Sequence, residues 1–164
     1  MAGLLSRDRA AEERAFKAIL DADPHWRRGR LRDLVSAREL IIEFQNILPR
    51  AIQERGLTLA DAITSEESAR ALVGSMPSTE VSIELKTAWH RNGERQWTAN
   101  DIYDIDAMAL AVPYCDVVVT EKACRHILAA AGLPERMDTA VLHRLTDLPR
   151  VLSERQPKRR LGMI

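Results

Sequence analysis

The sequence predicts a strongly helix-rich α/β fold, and three observations carry that reading. Apolar residues recur at helical spacing through the first two thirds of the chain. One continuous β-prone run, Val117-Val118-Val119, then reads as a buried parallel strand, because it does not alternate. A helical segment and a short apolar run, Ala140-Val141-Leu142, follow it. That strand–helix–strand order predicts a parallel pair with a right-handed crossover. The length of 164 residues suits one domain with a substantial core.

Each element has a local reason. Residues 7–22 are rich in Ala, Glu and Arg, with Ala11, Ala15, Ala18 and Ile19 spaced for one helical face. Asp23-Pro24 interrupts the pattern, since proline biases the preceding residue away from helical geometry. A long helix is expected over 26–55, where Leu34, Ala37, Ile41, Phe44, Leu48 and Ile52 recur at three and four. Leu40 and Ile47 widen that stripe, Pro49 kinks or restarts it, and Gly56 ends it as a residue just past the C-cap.

Short helices are expected over 58–63 and 65–73, the second capped by Ser65 with Glu66 and Glu67 in its first turn. Gly74-Ser75-Met76-Pro77 is the clearest mid-chain break. Ser78 or Thr79 then opens a helix to about Arg91, closed by Asn92-Gly93. A helix over 100–112 carries Ile105, Met108, Ala109 and Val112 on one side, and Pro113 stops it. Helices over 121–131, ending at Gly132, and over 147–154 complete the reading. The chain divides into a helical region 1–75, an α/β half 76–155 and a basic tail 156–164, expected to be flexible.

Charge excludes some function classes. Lys and Arg number 24 against 24 Asp and Glu, so neither disorder by self-repulsion nor global electrostatic capture of a polyanion is expected. No run approaches the roughly 20 apolar residues of a membrane span, and charges begin too early for a secretory signal. Cys115 and Cys124 stand nine apart without a zinc-type cluster. They read as two reduced thiols, which places the chain in the cytoplasm.

The informative window is 100–121, NDIYDIDAMALAVPYCDVVVTE, with Asp101, Asp104, Asp106, Asp116 and Glu121 and no basic residue. Asp101 and Asp104 share one side of a helix start, and Glu121 follows the apolar strand at once. The carboxyl ends of parallel strands are where such sheets bind ligands. Converging carboxylates repel unless a cation joins them, and Mg²⁺ or Mn²⁺ prefer such oxygen donors. The chemistry that follows is metal-assisted phosphodiester hydrolysis.

This window resembles the C-terminal motif of PIN domains, a family of metal-dependent ribonucleases. An acid near a helix start precedes a small Ala-rich helix (Ala107-Met-Ala-Leu-Ala111), and an apolar strand then ends in Thr120 and the acid Glu121. Glu121 stands where Asp is more usual, and 139–142 resembles the family's final strand. The resemblance covers residues 76–152. It implies a PIN-like three-layer fold, an RNA substrate, and Mg²⁺ or Mn²⁺ held by Asp104, Asp101 and Glu121 as the catalytic metal ligands. The family's opening strand, ending in Asp, has no clear counterpart; the nearest match, 18–21, lies inside a helical pattern. Its second acid corresponds to Glu39 or Glu43, with nothing to select between them. Two explanations stay open: the chain is the C-terminal part of a longer protein, or a relative with an incomplete centre and sheet.

Several residues also read as structure. Thr98 stands at capping-box spacing before Asp101, and Asn100 is itself a good N-cap. Asp106 reads as a solvated charge, Asp116 as a turn residue, and Glu121 alternatively as the first turn of the next helix. The basic residues between Arg27 and Arg32 read as a solvated helix face or as phosphate contacts. Trp26, Trp89 and Trp97 read as core or interface anchors, and His90 and His126 as structural. The competing function is a catalytically silent interaction module. In it the stripe over 34–52 and an open sheet edge would bury against a partner protein or a second copy.

Overall fold

The computed structural model describes residues 2–44 and 48–155. The basic tail therefore lies outside the described residues, as do the side chains of Phe44 and Leu48. Helix α1 (Ala2–Ala22) is followed by a 3-10 turn at Pro24–Arg27, then α2 (Leu31–Phe44), α3 (Leu48–Gln53) and α4 (Leu59–Ala62). Next come α5 (Glu66–Gly74), α6 (Pro77–Arg91) and α7 (Ala99–Tyr114). The remainder alternates: β1 (Val117–Val119), α8 (Lys122–Ala130), α9 (Leu133–Arg136), β2 (Ala140–Leu142), a 3-10 turn at Leu145–Asp147, and α10 (Leu148–Glu154).

The strands form a two-stranded parallel sheet in the register Val117↔Ala140, Val118↔Val141 and Val119↔Leu142. Backbone bonds from Ala140 to Asp116 and from Thr120 to Leu142, each 2.9 Å, extend the ladder at both ends. Val141 alternates with those β2 positions, and its carbonyl accepts a 3.2 Å bond from Arg125 Nε on α8 instead. The helix-rich α/β class is therefore present, with the parallel pair where the two apolar runs predict it.

Several boundaries differ from the sequence reading, each for a local reason. The first helix begins at Ala2, earlier than residue 7. The single helix expected over 26–55 is broken: Asp23 caps the Pro24–Arg27 turn, and Gly29 at φ +83° precedes α2. Only glycine adopts that conformation without strain. Gly56, at φ +67°, does terminate α3; its N–H bonds Gln53 and the Leu57 N–H bonds Ile52, the paired bonds of a Schellman end. Pro113 lies within α7 rather than after it, and α7 continues to Tyr114. Near a helix end a proline breaks little, because few bonds remain to be lost. Residues 18–21 lie within α1, so the nearest match to a first PIN strand is helix, and Asp21 pairs there with Lys17 at 2.6 Å.

Two cores hold the fold. The larger joins Ala10 of α1 to Val81, Leu85 and Trp89 of α6, to Ile102, Ile105, Ala109 and Val112 of α7, and to Leu128 and Val141 beyond. Trp89 and Trp97 meet edge to face inside it, ring centroids 5.4 Å apart. The smaller joins Leu20, Leu31, Val35, Val73 and Ile83. Both cores mix residues from either side of the Gly74–Pro77 break, so α6 and α7 are buried by helices from the N-terminal segment. The stripe of the second expected helix is used unevenly. Val35 is fully buried, whereas Ile41 is 66% exposed.

Candidate metal centre

Helix α7 begins at a capping box. The Thr98 hydroxyl accepts from the Asp101 N–H at 3.3 Å, and Asp101 Oδ2 accepts from the Thr98 N–H at 2.6 Å and its hydroxyl at 2.8 Å. The remaining oxygen, Oδ1, accepts a charged hydrogen bond from Arg95, whose guanidinium also lies 3.9 Å over the Trp89 ring. Asp101 is buried and both oxygens are engaged, so the cap reading of this residue holds in the structure.

Asp104 stands one turn further on and is exposed. Glu121 caps α8 with its backbone at the carboxyl end of β1, is exposed, and makes no side-chain cap bond. Between them lies Cys124 on α8. Burial pushes its thiol up, a hydrogen bond with Thr120 acts the other way, and the charges of Asp104 and Glu121 push it up again. Two of the three expected ligands thus act on one sulfur at the carboxyl end of β1. Asp101 does not join them, and among the described residues no three His, Cys, Asp or Glu side chains form a group that could hold a metal ion.

The other acids have structural partners. Asp106, expected as a solvated charge, takes a two-pronged bond from Arg9 at 2.7 and 3.0 Å and is half-buried. Asp116 sits in the bend between α7 and β1, as a turn residue does. The run from Arg27 to Arg32 is largely engaged within the chain. Arg27 bonds the carbonyls of Leu20 at 2.8 Å and His90 at 3.0 Å, Arg30 bonds Glu66 at 2.6 Å, and Arg32 bonds Glu84.

A second charged constellation is buried between α1, α2 and α6. Lys86 Nζ lies 3.1 Å from Glu13 and 2.7 Å from Glu39, and Arg38 lies 2.8 Å from Glu13 and 3.5 Å from Glu39. Burial alone would raise Glu13. Its bond with His90 and the charges of Lys86 and Arg38 outweigh that, holding it down to about 2. Glu39 is shifted the other way, raised first by burial against the pull of Lys86. Glu39 was one candidate for the family's second acid; here it closes an ion network away from β1, while the Glu43 side chain lies outside the described residues. Sequence reasoning missed this network. Its one signal is that Lys86 and His90 stand four apart on the helix that carries Leu85 and Trp89.

An open cleft of about 340 Å³ lies beside the network, lined by Arg9, Glu39, Ser78, Thr79, Asp106 and Leu110 among others. Its charges are matched pairwise, Arg9 with Asp106 and Glu39 with Lys86. No helix among the described residues is long and apolar enough to cross a membrane. No family model, curated protein or solved structure matches the chain.

Proposed function

We propose that the chain supplies the acidic half of a PIN-like, metal-dependent ribonuclease centre. The observation that carries this reading is the joint action of Asp104 and Glu121 on Cys124 at the carboxyl end of β1. The donor set fits Mg²⁺ or Mn²⁺ in kind, since both side chains are hard carboxylates left accessible to solvent. It fits only in part by number, because Asp101 is engaged by Thr98 and Arg95. The remaining ligands would be waters and a phosphate oxygen of the RNA, or groups from a partner chain. A metal bound there supplies an acidified water and neutralises charge on the phosphate.

This chain's own residues have simpler tasks. Asp104 and Glu121 hold the cation, and the Thr98 cap fixes the start of the helix that aims Asp104. Cys124 is kept a neutral thiol between the two acids by its burial. The balanced charge of 24 against 24 leaves RNA capture to the metal rather than to a basic surface. Two free cysteines fit a reducing cytoplasm.

A titration of Mn²⁺ into wild type, Asp104→Asn, Glu121→Gln and Asp101→Asn tests the assignment. Thermal stability and cleavage of a labelled RNA pool are read together. At a hundredfold excess over Kd, wild type gains about 2.7 kcal/mol, and the Asp104 and Glu121 variants gain none. Asp101→Asn starts less stable but keeps its response. No stabilisation and no cleavage in wild type, or an equal response in Asp104→Asn, rejects the nuclease reading. The silent-module reading draws its support from a separate feature, the exposed apolar face of α7.

A further inference from the structure

Helix α7 is apolar on two sides. Ile102, Ile105, Ala109 and Val112 enter the core. Opposite them Tyr103, Ala107, Leu110 and Tyr114 are exposed, the three large ones at 44%, 63% and 61%. Single exposed apolar residues are ordinary, but four in line on one helix make a patch. Their spacing of four, three and four is the a/d alternation of a helix-pairing seam.

Charge on α7 is one-sided. Asp101, Asp104 and Asp106 all lie in its N-terminal half, and 107–114 carries no charge. We propose that the stripe docks on α7 of a second copy of this chain, antiparallel about a twofold axis. A parallel pair would set Asp104 against Asp104. The antiparallel pair sets each Asp104 beside the uncharged last turns of the other copy, and it opposes the helix dipoles favourably. The twofold also makes the seam self-complementary: Tyr103 meets Tyr114, and the small Ala107 receives Leu110. Sixteen residues span about 24 Å, so α7 alone covers less than the roughly 800 Å² per partner of a stable interface. The pairing is accordingly weak, with a Kd on the order of 100 μM. It stands apart from the metal reading, which can fail without it.

Sedimentation of the full chain from about 10 μM to about 1 mM tests the pairing, a range that brackets the expected Kd. The mass average of wild type climbs toward two copies. Leu110→Asp stays monomeric throughout and melts at the wild-type temperature, because the side chain is 63% exposed. Leu152→Asp, equally exposed but on α10, associates like wild type. Orientation is read from Cys115, the exposed cap of α7. In the antiparallel pair the two copies of Cys115 sit roughly 20 Å apart along the axis, beyond disulfide reach; in a parallel pair they meet. Mild oxidation therefore gives no Cys115-linked dimer. A monomer at about 1 mM, association undiminished in Leu110→Asp, or a Cys115-linked dimer that Leu110→Asp removes, each overturns the proposal. A monomer would leave the stripe to a different partner.

Discussion

His90 Nε2 lies 2.8 Å from Glu13 Oε2, and both side chains are sealed in the interior between α6 and α1. Glu13 is held down to about 2, so it accepts and the imidazole donates. That fixes the neutral tautomer with its proton on Nε2. His90 Nδ1, buried without a partner among the described residues, is then a bare acceptor rather than an orphaned donor.

This pair makes stability fall on acidification. Burial lowers His90 below 6.5, so the unfolded chain binds its proton first. That contribution is complete above pH 6.5 and is lost as pH falls through the folded value. Glu13 contributes fully above 4.5 and loses its contribution between 4.5 and about 2. Glu39, raised by burial, acts in the opposite sense, because its protonation relieves a buried charge. Urea unfolding across this range should lose up to about 1.4 kcal/mol per pH unit for each proton taken up. His90→Gln keeps a donor toward Glu13 and should flatten the curve between pH 6.5 and about 5; an unchanged slope would place the acid step elsewhere.

Lys86 is 3% exposed and stands between Glu13 and Glu39. Removing its charge strands two buried carboxylates, the costly way to break such a network. Lys86→Met should destabilise by about 3–5 kcal/mol in denaturant titration at neutral pH. Adding Glu39→Gln should recover part of that loss. Equal stability of Lys86→Met and wild type would show that the network is not closed in solution.

The α7 cap predicts a split between stability and metal response. Thr98→Ala should cost about 1 kcal/mol by loss of the box. Asp101→Ala should cost more, because it also leaves Arg95 without its carboxylate over Trp89. Differential scanning calorimetry reads both losses, and a larger loss from Asp104→Ala than from Asp101→Ala would reverse the assigned roles.

The two thiols should differ in reactivity. Cys115 is exposed, whereas Cys124 is raised by burial and by the charges of Asp104 and Glu121. Iodoacetamide at pH 8, followed by peptide mass mapping, should label Cys115 first. Asp104→Asn should quicken Cys124 labelling without changing Cys115. Failure of that acceleration would separate Asp104 from the end of β1.

Residues 76–155 should not fold alone. Without α1, α2 and α5 the segment exposes Val81, Ile83, Lys86 and His90 together. Near-ultraviolet circular dichroism and the urea transition should show no cooperative unfolding. A sharp transition would make the Gly74–Pro77 break a domain boundary.

Local chemistry on the chain determined much of this architecture. Ser65 and Thr98 capped their helices, Gly56 ended α3, and the run of three valines made the strand, because each outcome depends on neighbours within a turn or two. The acids at 104 and 121 were legible for the same reason, as positions at a helix start and a strand end. Only the tertiary structure decided what their neighbours do. Arg95 and Thr98 engage Asp101, Arg9 reaches Asp106 across 97 positions, and Glu13, Glu39, Lys86 and His90 meet in the core from three helices. Such pairings answer the cost of leaving a buried charge unmatched, and that cost arises only once helices distant in sequence have packed.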